Sequence, residues 1–395
     1  MKSISIYIHI PFCIRKCKYC DFLSAPANES VQKAYLCALK EEIRSQKDKY
    51  KDYLVETVFI GGGTPTAVEA ELLCEVLQTV KENYTLAEEA EISMEANPGT
   101  VTGEAFKRYK SAGINRLSIG LQSADNTELE MLGRIHNFED FLQTYQMAVN
   151  AGFHNINVDL MSALPGQTIN SYRDTLKKVL ALTPKPQHIS AYSLIIEEGT
   201  PFYALYGEER AELDRTGESR ASAENEPHLP SEEAEREMYS ITEEMLAKAG
   251  YERYEISNYC QPGFACKHNC VYWQRGNYVG FGLGAASLVE NMRFKNTESI
   301  KTYLKEGRKV AEEERLTVTE QMEEFMFLGL RMIKGVSKEE FQMTFGVSIE
   351  SVFGEPVIQN TESGLLKEKD NRLSLTKKGL DVANYVMAQF LIEEL

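Results

Sequence analysis

The sequence lacks a long hydrophobic run, since no apolar stretch approaches the roughly 18 residues that a transmembrane helix needs. Positive charge is also scarce: 43 Lys and Arg stand against 59 Asp and Glu, a formal net charge of −16. A surface this acidic argues against nonspecific nucleic-acid binding, which depends on basic patches. The N-terminal residues alternate apolar and polar side chains, as a strand does, where a signal peptide would have an apolar core. We therefore expect a cytoplasmic protein with no nucleic-acid partner and no stable membrane insertion.

Cysteine, in contrast, is present at eight positions, and most of these fall into two groups. The groups are Cys13, Cys17 and Cys20, and Cys260, Cys266 and Cys270. Without a secretory signal, grouped cysteines indicate metal binding or catalysis more than disulfides. The spacing of the later group fits no zinc module well, so its role as a second metal or redox site stays open.

The first half of the chain alternates strand-like and helix-like segments. The predicted strands cover residues 4–10, 55–60, 91–96, 116–121, 155–161 and 188–194, and the predicted helices cover residues 31–47, 70–83, 103–111, 138–150 and 171–182. Six βα units in a row imply a parallel sheet. Several strands alternate apolar and polar residues, which places each set on one face. Because a polar inner face must line something polar, the pattern predicts an α/β fold with a partial (β/α)6 barrel that is open on one side.

Three polar side chains lie near the carboxyl ends of these predicted strands: Glu95, Gln122 and Asp159. Barrel enzymes build their sites at that end of the strands. The sequence therefore predicts a ligand site there.

The remaining chain divides by composition. We expect the barrel to occupy residues 1–205, followed at 206–230 by an acidic insertion that we expect to be mobile. Residues 231–316 are predicted to flank the barrel. Residues 317–395 show helical patterns and one short strand, which predicts a small, mostly helical, winged-helix-like domain.

The strongest motif is HIPFCIRKCKYCDF at residues 9–22, directly after the first predicted strand. Iron–sulfur clusters are normally held by four cysteine thiolates, so three thiolates leave one iron without a protein ligand. A structural zinc site is the alternative, but it requires a fourth ligand, and His9 is the only local candidate. The iron without a protein ligand has an open coordination position, as a reactive metal site requires.

At these residues the chain resembles the radical S-adenosylmethionine (SAM) superfamily. The resemblance implies that Cys13, Cys17 and Cys20 bind a [4Fe–4S] cluster and that the amino and carboxylate groups of SAM chelate the open iron. One electron would then cleave SAM to methionine and a 5′-deoxyadenosyl radical.

Further motifs match this superfamily in order along the chain. They are FIGGGTPT (59–66), SMEANPG (93–99), IGLQS (119–123), LGRIH (132–136) and NVDLMSALPGQT (157–168). The resemblance implies SAM contacts from Tyr7, Gly62, Gly63, Thr64 and Glu95. It also implies contacts to SAM, or to the occupant of a second pocket, from Gln122, Arg134 and Asp159. For each carboxylate the alternative is a buried group that only satisfies a helix N-terminus.

Within the superfamily, the chain resembles the group of oxygen-independent coproporphyrinogen III dehydrogenases and HemW-type haem chaperones. Phe22 stands where the dehydrogenase loop has a fourth cysteine, and we expect no N-terminal extension before the first strand. The motif HNxxYW, from His268 to Trp273, is typical of the chaperones. The resemblance thus implies a chaperone that binds a cluster, SAM and haem. Its expected partners are haem-accepting proteins and an electron donor such as flavodoxin or ferredoxin.

Two questions stay open at this point. The first is enzymatic activity, since oxidative decarboxylation of coproporphyrinogen III remains the alternative to a chaperone. The second is His268, which is either an axial haem ligand, as the resemblance implies, or a core histidine hydrogen-bonded to its neighbours.

Overall fold

The computed structural model describes residues 1–207 and 227–392. Most of the predicted acidic insertion at 206–230 lies outside these residues. None of the helices in the described residues combines the length and the apolarity needed to cross a membrane.

The first six strands and the helices between them form consecutive βα units. The strands are β1 (Lys2–Ile10), β2 (Tyr53–Gly62), β3 (Thr85–Ala96), β4 (Arg116–Gln122), β5 (Ile156–Ser162) and β6 (His188–Ser193). The helices are α1 (Glu29–Ser45), α2 (Ala70–Asn83), α3 (Gly103–Ser111), α4 (Asn126–Met131), α5 (Phe138–Asn150) and α6 (Ile169–Leu180). All five neighbouring pairs from β1 to β6 are parallel, which is the predicted (β/α)6 arrangement.

Later strands, with helices between them, extend the same sheet at both edges. They are α7 (Pro201–Tyr206), α8 (Glu232–Lys248), β7 (Glu252–Arg253), β8 (Asn258–Cys260), α9 (Lys267–Trp273), β9 (Tyr278–Phe281), β10 (Ala286–Val289), β11 (Met292–Asn296), α10 (Ile300–Glu306) and β12 (Val310–Arg315). The strand order is β12-β11-β10-β9-β1-β2-β3-β4-β5-β6-β8-β7. Over the described residues the order is linear, so the barrel stays open, as expected. The segment predicted to flank the barrel thus contributes strands to its sheet.

The two faces of the barrel strands differ as their alternation predicts. On β1, Ile4, Ile6, Ile8 and Ile10 are at most 1% exposed and belong to the core beneath the outer helices. Burial of such a side chain contributes about 1.5–3 kcal/mol. The opposite face carries Tyr7, which points into the barrel and lines its cavity.

A second hydrophobic core lies in the C-terminal part. Its elements are α11 (Val318–Gly329), β13 (Val336–Ser337), α12 (Lys338–Phe345), α13 (Ile349–Glu362), β14 (Leu366–Lys369), β15 (Arg372–Leu375), α14 (Lys377–Asp381) and α15 (Ala383–Ala388). The three strands form a small antiparallel sheet in the order β13-β15-β14. Helices packed on a small antiparallel sheet agree with the predicted winged-helix-like unit.

Candidate functional site

One cavity of about 510 Å³ opens at the carboxyl ends of the barrel strands. All of the site residues predicted from the sequence line it: Tyr7, Cys13, Cys17, Cys20, Gly62, Gly63, Thr64, Glu95, Gln122, Arg134, Asp159 and His268. They come from separate strands, loops and a late helix, and the fold brings them together. The volume lies within the range of small-molecule and cofactor sites.

The loop that carries the first cysteines is fixed by backbone hydrogen bonds. The Cys13 N–H donates to the Ala25 carbonyl at 3.2 Å, which joins the beginning of the loop to its end. The Lys18 N–H donates to the Leu132 carbonyl at 3.0 Å, and the Arg15 guanidinium donates to the Gly133 carbonyl at 2.8 Å. The loop is therefore held over the barrel mouth, against the turn that contains Arg134.

The three thiols on this loop are partly exposed and suit an iron–sulfur cluster. Thr64 Oγ1 donates to Cys13 Sγ at 3.5 Å, and an Arg134 N–H donates to Cys17 Sγ at 3.7 Å. Hydrogen bonds to cysteine sulfurs are one means by which proteins tune such clusters. In the described residues no three Cys, His, Asp or Glu side chains are arranged to hold a single metal ion. A cluster has its irons at separate positions and does not require the thiolates to converge on one point.

The glycine-rich turn after β2 packs directly against the cysteine loop. Gly62 has φ +115°, and a Cβ atom there would lie 2.5 Å from the His9 ring. A Cβ atom on Gly63 would lie 2.6 Å from the Phe12 carbonyl oxygen. Only glycine permits both this backbone conformation and this close approach. The turn thereby brings Thr64 to the cavity wall.

Two carboxylates, Glu95 and Asp159, line the cavity. Burial raises the pKa of Glu95 to about 8, and the charge of Asp159 adds to this shift, whereas a hydrogen bond from the Gly62 N–H at 3.0 Å opposes it. Burial also raises the pKa of Asp159, whose oxygens accept hydrogen bonds from Asn157 at 2.7 Å and Ser118 at 3.1 Å. The raised pKa favours the protonated form of Glu95, and a bound cationic group would favour its ionised form.

Arg134 links the cysteine loop to the ends of the strands. One guanidinium nitrogen donates to Asn97 Oδ1 at 2.8 Å and to the Gly120 carbonyl at 2.7 Å, while the other contacts Cys17. Gln122 ends β4 with φ +72°, where the register with β5 shifts. Such a backbone costs about 1–3 kcal/mol and is typical of ligand sites.

His268 lies on α9 at the opposite end of the cavity from the cysteine loop and is 1% exposed. Thr57 Oγ1 donates to Ser5 Oγ at 2.8 Å, so the Nδ1 atom of His268, 2.7 Å away, donates to Thr57. The Nε2 atom then accepts a hydrogen bond from the Tyr272 hydroxyl at 2.8 Å. Both ring nitrogens are therefore engaged.

The environment of His268 keeps its ring neutral. Burial, together with the charge of Arg116, lowers the pKa of His268 to about 3, and the ring stacks on Phe59 at 5.1 Å. A neutral imidazole suits metal ligation, but ligation through Nε2 requires the bond to Tyr272 to break. The role of His268 as haem ligand therefore stays a prediction.

The later cysteine group lies in the interior of the protein, where Cys260 and Cys266 are buried and Cys270 is partly buried. Burial raises the pKa of Cys260 to about 11, of Cys266 to about 12 and of Cys270 to about 11. The Cys266 thiol donates to Glu91 Oε1 at 3.6 Å. Burial also raises the pKa of Cys20 on the first loop to about 11, so this shift does not distinguish the two cysteine groups.

Several cavity residues escaped the sequence-based site prediction. They include Tyr19, Asn97, Arg116, Ser118, Asn157, Ser190, Tyr192, Asn269 and Tyr272. The alternation on β4 predicts that Arg116 points into the barrel, because it shares the face of Ser118 and Gln122. Asn97 likewise follows the alternation of Ser93 and Glu95, whereas Tyr19 lies on a loop, where no periodicity marks it.

Comparisons with known proteins agree with this geometry. The family model described as Radical SAM superfamily matches residues 7–179, and the HemN C-terminal domain model matches residues 316–382. The heme chaperone HemW of Lactococcus lactis subsp. lactis (strain IL1403) is 36% identical over 100% of this chain and 99% of its own length. The chain belongs to the HemW family. The HemW proteins of Bacillus subtilis (strain 168) and Escherichia coli (strain K12) are 36% and 33% identical, over 98% and 100% of this chain and 99% of each relative.

Among solved structures, coproporphyrinogen III oxidase (HemN) from Escherichia coli, described as a radical SAM enzyme, superposes with a TM-score of 0.81. It covers 98% of this chain and 90% of its own, but at 20% identity the likeness concerns the fold alone. In this HemW-family chain Phe22 lines the cavity two residues after Cys20 and is 59% exposed.

Proposed function

We propose that this HemW-family protein is a haem chaperone that holds a [4Fe–4S] cluster, SAM and haem and delivers haem to acceptor proteins. The observation that carries the proposal is the convergence of all the predicted site residues on one cavity. The full-length relatives named as heme chaperones support it.

Each part of the outer cavity has a distinct role in this proposal. Cys13, Cys17 and Cys20 would hold the cluster, which would supply one electron for the reductive cleavage of SAM. Arg134 offsets thiolate charge near Cys17, since its guanidinium already contacts that sulfur. The arrangement leaves one side of the cysteine loop facing the cavity, where a ligand has access.

We assign SAM binding to the carboxyl ends of the strands that face this loop. The Gly62–Thr64 turn offers backbone close to the cavity, and Glu95 offers an oxygen that can accept a hydrogen bond from an ammonium or ribose group. Tyr7 completes the wall on β1, and its hydroxyl donates to His9 Nδ1 at 3.0 Å, because Nε2 already donates to a carbonyl. Gln122 and Asp159 line the same space.

The proposal also covers partners, location and domain limits. We propose haem-accepting proteins and an electron donor such as flavodoxin or ferredoxin as partners, in the cytoplasm. We further propose that the chain divides at residues 206, 231 and 317, the last of these next to the start of the matched C-terminal family at residue 316.

The test is a haem-transfer assay under anaerobic conditions. The purified protein is loaded with haem and mixed with an apo-haemoprotein whose holo spectrum is distinct, with and without SAM. We expect the acceptor spectrum to develop faster than from the same concentration of free haem. Failure to bind haem, or transfer no faster than from free haem, would contradict the proposal.

Coproporphyrinogen III dehydrogenation is the second candidate, favoured by the fold shared with the Escherichia coli enzyme. The related loop has a fourth cysteine, and the phenyl ring of Phe22 cannot supply a thiol. We therefore expect no protoporphyrinogen IX when reconstituted protein, SAM, a strong reductant and coproporphyrinogen III are combined anaerobically. Formation of that product at enzyme-like turnover, seen by chromatography, would promote the dehydrogenase over the chaperone.

A further inference from the structure

Arg116 is a buried cation without a hydrogen-bonding partner at the inner end of the cavity. It is the first residue of β4, its side chain is on the face of Ser118 and Gln122, and it is 2% exposed. Within residues 1–207 and 227–392 its side chain forms neither a hydrogen bond nor an ion pair, and its Nε atom is buried and unsatisfied. A buried guanidinium without a partner destabilises the folded protein, so its position on a cavity wall indicates that a ligand pairs with it.

The charges of two carboxylates, Glu91 and Asp159, act on Arg116, but neither carboxylate forms a hydrogen bond with its guanidinium. Glu91 accepts hydrogen bonds from the N–H groups of Lys267 and His268 at 3.1 Å each, which begin α9. Asp159 is held by Asn157 and Ser118. Both anions balance the charge of Arg116 at longer range but leave its N–H groups open to the cavity.

Arg116 is set apart from the other basic side chains of the cavity wall. Arg15 and Lys16 are on the cysteine loop and Arg134 contacts Cys17, so among the described lining residues Arg116 is the basic side chain of the inner end. A strand rises about 3.3 Å per residue, so the Cα atom of Arg116 lies roughly 20 Å of strand length before Gln122, at the end of β4 opposite the cysteine loop.

We propose that Arg116 binds a carboxylate of an organic ligand at the inner end of the cavity, and that this carboxylate is a haem propionate. The proposal rests on the proposed function, which supplies haem as the ligand. SAM is expected to use its own carboxylate at the cysteine loop, far from Arg116. A guanidinium pairs with a carboxylate through two parallel N–H···O bonds, which the open donors of Arg116 can form.

The test compares haem with haem dimethyl ester, whose propionates are esterified, by titration of the Soret band. Wild-type protein should bind haem about tenfold or more tightly than the ester, the effect expected of charge-assisted hydrogen bonds. Arg116→Met should weaken haem to a similar degree and leave the ester unchanged, and Arg116→Lys should be intermediate. Arg108→Met is the matched control, because Arg108 is exposed on α3.

The outcomes separate the two proposals. Equal binding of haem and its ester by wild-type protein would overturn the role of Arg116, and this arm needs no folded variant. Haem affinity unchanged in a folded Arg116→Met protein would overturn it as well. If that variant instead weakens SAM in calorimetry and not haem, the carboxylate belongs to SAM and the haem assignment is wrong. Absence of haem binding by wild-type protein would overturn the proposed function and this inference together.

Discussion

The two ends of the cavity hold their polar groups in opposite ways. At the outer end the thiols make only long contacts, 3.5 Å from Thr64 to Cys13 and 3.7 Å from Arg134 to Cys17. At the inner end the His268 ring is fixed by two bonds of 2.7 and 2.8 Å within a closed network. Groups at the outer end are free to bind a cofactor without losing much, whereas binding through His268 must first break an existing bond.

This difference teaches which assignments the geometry favours. Thiols on a loop anchored at both ends, with donors aimed at two of the sulfurs, match the needs of a cluster. A neutral histidine sealed between Thr57 and Tyr272 equally matches a core residue. At the inner end the Arg116 side chain lacks a hydrogen-bonding partner among the described residues, so an anionic ligand can bind there without breaking an existing bond.

The largest effect is expected at the outer end. Replacing Cys13, Cys17 and Cys20 together by Ala should abolish brown absorbance, bound iron and sulfide, because no other thiolates in the described residues face this part of the cavity. Haem binding should persist if the two ends are independent. Cys37→Ala is the control, since this cysteine is exposed on α1. A triple variant that retains stoichiometric iron and sulfide would sink the cluster assignment.

At the inner end, His268→Ala should change the Soret band of added haem while cluster content stays constant. Tyr272→Phe sharpens the test, because it frees Nε2 without removing the imidazole. If His268 ligates haem, this variant should bind haem more tightly. His154→Ala is the control, since His154 is exposed and does not line the cavity. A Soret band and affinity unmoved by His268→Ala would make His268 a core histidine only.

For SAM, Glu95→Ala should weaken binding by about tenfold or more, because a charge-assisted hydrogen bond contributes roughly 1.5–3 kcal/mol. Calorimetry on the reconstituted protein measures this directly. Glu104→Ala, on the exposed first turn of α3, should leave SAM affinity unchanged. Equal affinity in the Glu95 variant and in wild-type protein would refute the assignment.

A smaller effect concerns the pH dependence of stability without ligands. Because the pKa of Glu95 rises from 4.5 to about 8 on folding, the native chain keeps a proton that the unfolded chain loses. The contribution of this retained proton to the free energy of unfolding is fully present below pH 4.5 and is lost as the pH rises through 8. The melting temperature of Glu95→Gln minus that of wild-type protein should therefore grow from about pH 5 to 8 and then level off. A difference that does not vary with pH would contradict the raised pKa.

The barrel could be predicted because its signals are local and repeated. The predicted helices at 70–83, 103–111 and 138–150 have the bounds seen in α2, α3 and α5. Alternation in β1 placed its isoleucines in the core and Tyr7 at the cavity. These patterns follow directly from the periods of strands and helices.

The later strands could not be predicted on the same basis. β7 and β8 have two and three residues, too few to show a period. β12 reads VAEEER and is almost wholly exposed, so it lacks the apolar face that marks a strand. These strands form because they add to the edges of a sheet that the barrel has already built, which is a tertiary effect.

The site residues likewise divide into those that could be predicted from the sequence and those that could not. The cysteines and the glycine turn could be predicted because their chemistry restricts residue type and spacing. Arg116 was missed because a single arginine at the start of a strand resembles a surface residue. Its lack of a partner becomes visible only once β3, β5 and α9 surround it.

The most direct test of the account is the metal content of wild-type protein purified without oxygen. Iron, acid-labile sulfide, zinc and haem are quantified per chain, and SAM is then added while the cluster spectrum is followed. The account predicts iron and sulfide in the ratio of a [4Fe–4S] cluster, no stoichiometric zinc, and a spectral change on SAM addition that shows access to the open iron. Stoichiometric zinc without iron, or a cluster whose spectrum does not respond to SAM, would contradict it.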